Sequence, residues 1–140
     1  MMKILITNDD GISSRGLLLL AKKAMEFGEV TVAAPKTEQS GKSQSINIHS
    51  PFEAREVELL PGVRAYSVDS SPADCVRFAK LGLGVNYDLV LSGINNGLNI
   101  GIDMVYSGTV GAIFEANAEG MPAVALSTTP GDFDAAAAQL

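Results

Sequence analysis

Apolar positions fall into short blocks along the chain, and their spacing switches between the two periods that separate strands from helices. Lys3 to Thr7 is a compact run of β-formers, whereas Leu17, Leu20, Ala21, Ala24 and Met25, in the segment reaching Phe27, recur close to helical spacing. A strand, a loop and a helix are predicted. Gly28 supplies the helix stop, and Glu29 to Ala34 reads as a second buried strand ended by Pro35, completing a βαβ unit. Lys36 to Ser45 is polar and has loop composition. Alternation in Ser45 to His49, Phe52 to Leu60 and Val63 to Val68, with Pro61-Gly62 as a turn, predicts a small antiparallel hairpin excursion around residues 45–68.

The second half repeats the βα rhythm. Ser71-Pro72-Ala73-Asp74 has the form of a helix start, with a capping Ser, Pro at the first helical position and Asp74 placed for a capping box; the helix should run to about Leu81. Tyr87 to Ser92 is another buried strand, followed by a stretch holding Gly93, Asn95, Asn96, Gly97, Asn99 and Gly101, which reads as loop. Ser107-Gly108-Thr109 opens a helix through Ala118, closed by Gly120, and Pro122 to Ser127 is a further apolar strand broken by Thr129-Pro130-Gly131. Buried strands alternating with helices predict an α/β fold with a mostly parallel, doubly wound sheet. The Ala-rich tail Asp134 to Leu140 could start a helix, yet nothing evident waits for it to pack on, which suggests an unfinished chain.

At 140 residues the sequence suits one domain, residues 1–140, and 46% hydrophobic with 19% charged residues is ordinary for a globular fold. No apolar run approaches the ~18 residues of a membrane span. The short apolar amino terminus stops at Asn8-Asp9-Asp10, so it reads as a first strand and not a signal peptide. Cys75 is the sole cysteine, which excludes an intramolecular disulfide and leaves a cytoplasmic address as the default. A formal charge of −6 argues against a nucleic-acid polymer as partner, because such binding draws on clustered Lys and Arg. Small phosphate esters stay compatible where a cation supplies local positive charge.

Ligands in open parallel sheets bind beyond the carboxyl ends of the strands, so the polar residues that follow each strand carry the chemistry. Asn8, Asp9 and Asp10 follow the first, Ser40 lies in the loop after the second, and Asn95 and Asn96 come after the strand ending at Ser92. Two carboxylates, a hydroxyl and an amide carbonyl make an all-oxygen donor set, suited to one Mg²⁺, Mn²⁺ or Ca²⁺ rather than a soft metal. Asp9-Asp10-Gly11 alone could be a turn, since Asp-Gly pairs and Asx side chains shape loops. Its place after a buried strand favours a cation, without which adjacent like charges repel. Ser107-Gly108-Thr109 could receive a phosphoryl group on free N–H groups and two hydroxyls, or simply cap its helix. His49, the only histidine, reads as surface or structural, Cys75 as a small core residue, and Lys36 and Lys42 as solvated loop lysines.

Five blocks, Thr7-Asn8-Asp9-Asp10-Gly11, Glu38-Gln39-Ser40-Gly41, Ser71-Pro72-Ala73-Asp74-Cys75, Ser92-Gly93-Ile94-Asn95 and Tyr106-Ser107-Gly108-Thr109-Val110-Gly111, occur in one order over nearly the whole chain. The pattern resembles the SurE survival-protein family. That resemblance implies a Rossmann-like phosphatase acting on nucleoside 5′- and often 3′-monophosphates, sometimes on short polyphosphate, with one divalent metal, Mg²⁺ or Mn²⁺, per active site. Matched residue by residue, it puts the metal ligands at Asp9, Asp10, Ser40 and Asn95, and the substrate side at Asn96 and Ser107-Gly108-Thr109. Two departures stand out: Ile12-Ser13-Ser14-Arg15-Gly16 replaces a common His-Ala-Pro run, and Asp69-Ser70-Ser71 replaces Asp-Gly-Thr before Pro72. The resemblance also implies a carboxyl-terminal region that completes the subunit and swaps between partners in a homodimer or tetramer.

The expected reaction is metal-assisted hydrolysis of the phosphomonoester by an activated water, with Asp9 and Asp10 as catalytic residues. Rivals are an aspartyl-phosphate nucleophile, a nucleotide- and metal-binding fragment without turnover, and a signalling receiver domain. The receiver requires a phosphoacceptor Asp and a Lys where this chain has Ser92-Gly93-Ile94-Asn95 and Ser127-Thr128-Thr129.

Overall fold

A computed structural model describes residues 1–140. Six strands form one sheet: β1 (Met2–Thr7), β2 (Gly28–Pro35), β3 (Ala54–Val57), β4 (Arg64–Val68), β5 (Leu89–Asn96) and β6 (Ala123–Thr128), in the order β3-β4-β2-β1-β5-β6. All neighbouring pairs are parallel except β3 with β4. The chain winds outward from β1 in one direction through β2 and in the other through β5. The switch point therefore lies between β1 and β5, where an open α/β sheet leaves a crevice.

Period-two alternation along the central strands builds a core on each face. Ile4 and Ile6 turn to one side, with Val30, Val32 and Ala34, and are covered by Leu17, Leu20, Ala21 and Ala24 of α1 (Arg15–Ala24). Leu5, Ala33 and Val90 turn to the other, beneath Cys75 and Val76 of α2 (Pro72–Arg77) and Ala112 and Ala116 of α4 (Gly108–Ala118). The short α3 (Asp103–Tyr106) precedes α4 directly. Ser71 caps α2 as expected, accepting from the Asp74 N–H.

Four expectations change. The Ser45 to His49 strand does not form; Asn47 instead turns the chain, its Oδ1 accepting from the N–H groups of His49 and Ser50 while its own N–H donates to the buried Asp74. The hairpin is confined to β3 and β4. The helix toward Leu81 ends its α-helical part at Arg77 and continues as a π-helical turn over Phe78–Gly82. The Gly- and Asn-rich stretch after Ser92 begins as strand: β5 runs on to Asn96, and after an irregularity between Ser92 and Asn95, Asn95 and Asn96 pair with Ser127 and Thr128. Ladder partners on β6 override the turn propensity of these residues. Finally, the tail does find a surface. Phe133, Ala136 and Ala137 of α5 (Phe133–Ala138) pack on the α1-side core, and Arg15 clasps Asp134 at 2.7 Å.

Candidate active site

Asp9 and Asp10 leave the carboxyl end of β1 in a turn shaped by Asn8. This buried amide donates to the Gly11 carbonyl and the Ser14 hydroxyl and accepts from the Gly11 N–H. Ser14 in turn caps α1 by accepting from Leu17 N–H. One side chain thus fixes both the carboxylate turn and the start of the helix behind it.

Asp9 is the deeper acid, only 5% exposed. Its Oδ1 accepts a 2.6 Å hydrogen bond from the hydroxyl of Thr109, itself fully buried at the start of α4. Gly108 packs against it so closely that an added Cβ would lie 2.9 Å from Asp9 Cβ, which leaves room for glycine alone without movement. Asp10 is half-buried, and its Oδ2 accepts from the backbone N–H of Asn96 at 3.0 Å, tying β1 to the end of β5 across the switch point. Burial raises both carboxyls above the ordinary 3.8. For Asp9 the Thr109 bond opposes that rise and the Asp10 charge adds to it; for Asp10 the Asn96 bond opposes and Glu38 adds.

The remaining residues of the oxygen set come from the loop after β2 and from the end of β5. Ser40 is exposed and donates to Glu38 Oε1 at 2.6 Å, and the backbone of Gln39 donates to the Asp9 carbonyl at 2.7 Å, drawing this loop over the β1 end. Asn95 donates its amide to the Gly97 carbonyl at 2.7 Å, a bond that uses its nitrogen and reserves its oxygen. Together Asp9, Asp10, Ser40 and Asn95 line one open cleft of about 240 Å³, with Asn96 and Ser107 on its wall. A larger cleft of about 790 Å³ lies between Glu56 and Arg64, at the amino-terminal end of β4, and contains none of these residues.

The phosphate-side residues divide. Ser107 caps α4, accepting from Val110 N–H at 3.2 Å, and still reaches the cleft. Thr109 points inward to Asp9, so its hydroxyl serves the carboxylate and not the cleft. Asn96 spends its side-chain oxygen on the Gly131 N–H. Glu38, Asn99, Asp103 and Tyr106 also line the cleft. None of these four was expected to form the site, although Glu38 and Tyr106 stand inside the motif blocks and Asn99 in the Gly- and Asn-rich stretch. His49 is exposed, and Cys75 is fully buried with its thiol pushed well up by that burial, in keeping with the inert roles expected of both.

The donor chemistry fits a hard divalent cation. Asp9 and Asp10 share their cleft with the carboxylates of Glu38 and Asp103 and with amide and hydroxyl groups, a lining of oxygen donors without His or Cys. Burial disfavours the charged form of both adjacent acids, and a cation between them would favour it.

The sequence profile of the family described as Survival protein SurE matches residues 4–140. The chain belongs to the SurE family. It is 48% identical over 128 residues to the 5′-nucleotidase SurE of Clostridium beijerinckii, covering 90% of this chain and 50% of the relative. It is 46% identical over 129 residues to the 5′-nucleotidase SurE of Dehalococcoides mccartyi, covering 90% and 48%. The crystal structure of a SurE protein from Aquifex aeolicus superposes with a TM-score of 0.87 at 34% identity, covering 98% of this chain and 56% of that one. The chain thus spans about half the length of the SurE relatives it matches. No helix in it is long and apolar enough to cross a membrane.

Proposed function

We propose that this SurE chain carries the catalytic site of a divalent-metal-dependent phosphomonoesterase acting on nucleoside 5′-monophosphates, and also on 3′-monophosphates. The observation that carries the reading is the Asp9-Asp10 pair at the β1–β5 switch point, one acid buried and one half-buried, sharing one cleft with Ser40, Asn95 and the cap residue Ser107. The naming of its relatives as 5′-nucleotidases supports the substrate class.

Asp9, Asp10, Ser40 and Asn95 would hold one Mg²⁺ or Mn²⁺; Ca²⁺ also suits an all-oxygen shell. Such an ion supplies Lewis acidity toward phosphoryl oxygens and lowers the pKa of a water nucleophile. The chain's own groups do the rest. Ser107, which reaches the cleft from the start of an eleven-residue helix, would receive the phosphate, aided by the positive end of that helix. Thr109 and Asn96 N–H hold the two carboxylates in place by one hydrogen bond each. Asp103 and Tyr106, on the cleft wall, border the leaving nucleoside.

The test is Mn²⁺ calorimetry together with phosphate release from AMP, on the wild-type chain and on Asp9→Asn. Loss of Mn²⁺ binding and a fall in rate of at least ~100-fold are expected for the variant, as the ion loses a direct ligand. Near-normal turnover in Asp9→Asn would sink the assignment. A second reading is metal and nucleotide binding without turnover. It predicts that AMP binds with Mn²⁺ present and that no phosphate is released.

A further inference from the structure

Ser43 and Gly111 stand outside the donor set, yet they join the loop that carries Ser40 to the helix whose cap is Ser107. Ser43 is the one non-glycine residue with a left-handed backbone, at φ 55°, a conformation that costs an L-residue energy and persists where its surroundings enforce it. Here three contacts enforce it. Its N–H donates to the Tyr106 carbonyl at 3.0 Å, its hydroxyl donates to the Val105 carbonyl at 2.7 Å, and its own carbonyl lies flat against Gly111 on the first turn of α4. A methyl group on Gly111 would collide with that carbonyl and with the backbone of Gln44. The next residue is held as well, because Gln44 donates to Glu115 at 3.0 Å, and the buried Glu115 is also paired with Arg77 at 3.1 Å.

Ser40 is three residues before Ser43, and Ser107 follows Tyr106 directly. We infer that Ser43, seated on Gly111, is a latch that positions the Ser40 loop from the phosphate-cap helix, so that the metal shell and the phosphate cap are set as one unit. Ser43 and Gly111 are positioning residues; neither lines the cleft. The inference rests on the metal reading of the cleft. It explains why glycine stands at the fourth residue of α4, where it weakens the helix by roughly 0.5–1 kcal/mol relative to Ala: the Ser43 backbone needs the space.

The experiment is Mn²⁺ titration of the metal-free chain with no phosphate or nucleotide present, followed by calorimetry or the Mn²⁺ spin-resonance signal. Four variants are compared with wild type: Gly111→Ala, Ser43→Ala, the two combined, and Asp9→Asn. Thermal melts report the fold of each. The latch predicts that Gly111→Ala, on the phosphate side, weakens Mn²⁺ binding about tenfold, within the range for groups that orient a metal ligand. Ser43→Ala, which deletes only the hydroxyl, should weaken it about threefold, and the double variant should be no worse than Gly111→Ala, since both break one connection. Folded Gly111→Ala and Ser43→Ala proteins that bind Mn²⁺ as wild type does, beside an Asp9→Asn that does not, would overturn the latch and leave the metal reading standing. Wild-type Mn²⁺ binding in Asp9→Asn would remove the metal reading itself. Where Gly111→Ala fails to fold, Ser43→Ala decides alone: unchanged binding rejects the latch.

Discussion

The two halves of the cleft are built from different material. On the β1–α4 side, Asp9, Thr109 and Gly108 are buried and packed together, the threonine hydroxyl bonded to one Asp9 oxygen. On the loop side, Ser40 and Glu38 are exposed and bonded chiefly to each other. The first half is set by the core and resists adjustment; the second is held at a few backbone points and can adapt to what enters. A site that bound a cation and released a product, as proposed, would benefit from that division, since preorganised groups lower the cost of binding while exposed ones can adjust.

Thr109→Val should break the rigid half most severely. The change is close to isosteric, yet it leaves a buried carboxylate short of a charge-assisted bond, at a cost of about 1.5–3 kcal/mol in unfolding measured by denaturant titration. Metal affinity should fall 10- to 100-fold on calorimetry. Gly108→Ala follows: a methyl 2.9 Å from Asp9 Cβ must displace the carboxylate, and about 1–3 kcal/mol of stability should go with it. Ser40→Ala probes the adaptable half, where weaker Mn²⁺ binding by less than about tenfold is expected, with an unchanged melting temperature, because exposed polar groups contribute little to folding.

The smallest effect is a pH dependence of stability in the metal-free chain. Burial raises the Asp10 carboxyl in the folded state, so its contribution to stability is complete below the ordinary 3.8 and is lost as pH rises through the raised value. Metal-free Asp10→Asn should therefore melt above wild type at neutral pH, and the gap should close on acidification toward 3.8. A gap that stayed constant across that range would show that the carboxylate charge is not the cause.

The doubly wound sheet was legible because each central strand is a compact apolar block and each covering helix repeats at its own spacing, as Leu17, Leu20, Ala21 and Ala24 show. The convergence of Asp9, Ser40 and Asn95 followed from the strand-end rule alone. What local pattern could not reveal was partnership at a distance. Asn95 and Asn96 look like loop residues until β6 pairs with them, and the Ala-rich tail looks unsupported until α5 meets α1. Alternation in Ser45 to His49 suggested a strand, but no neighbour offers a ladder there and Asn47 bonds locally instead. Thr109 was noticed as a hydroxyl at a helix start; that it faces Asp9, one hundred residues earlier, is a property of the packed core.

The hydrogen bond from Thr109 to Asp9 also bears on stereochemistry. The threonine hydroxyl engages one Asp9 oxygen and leaves the other without a side-chain partner beside the cleft, so a cation held there would meet a carboxylate already fixed in orientation by the core. A buried threonine would thus set how the acid faces its ligand without touching the ligand itself.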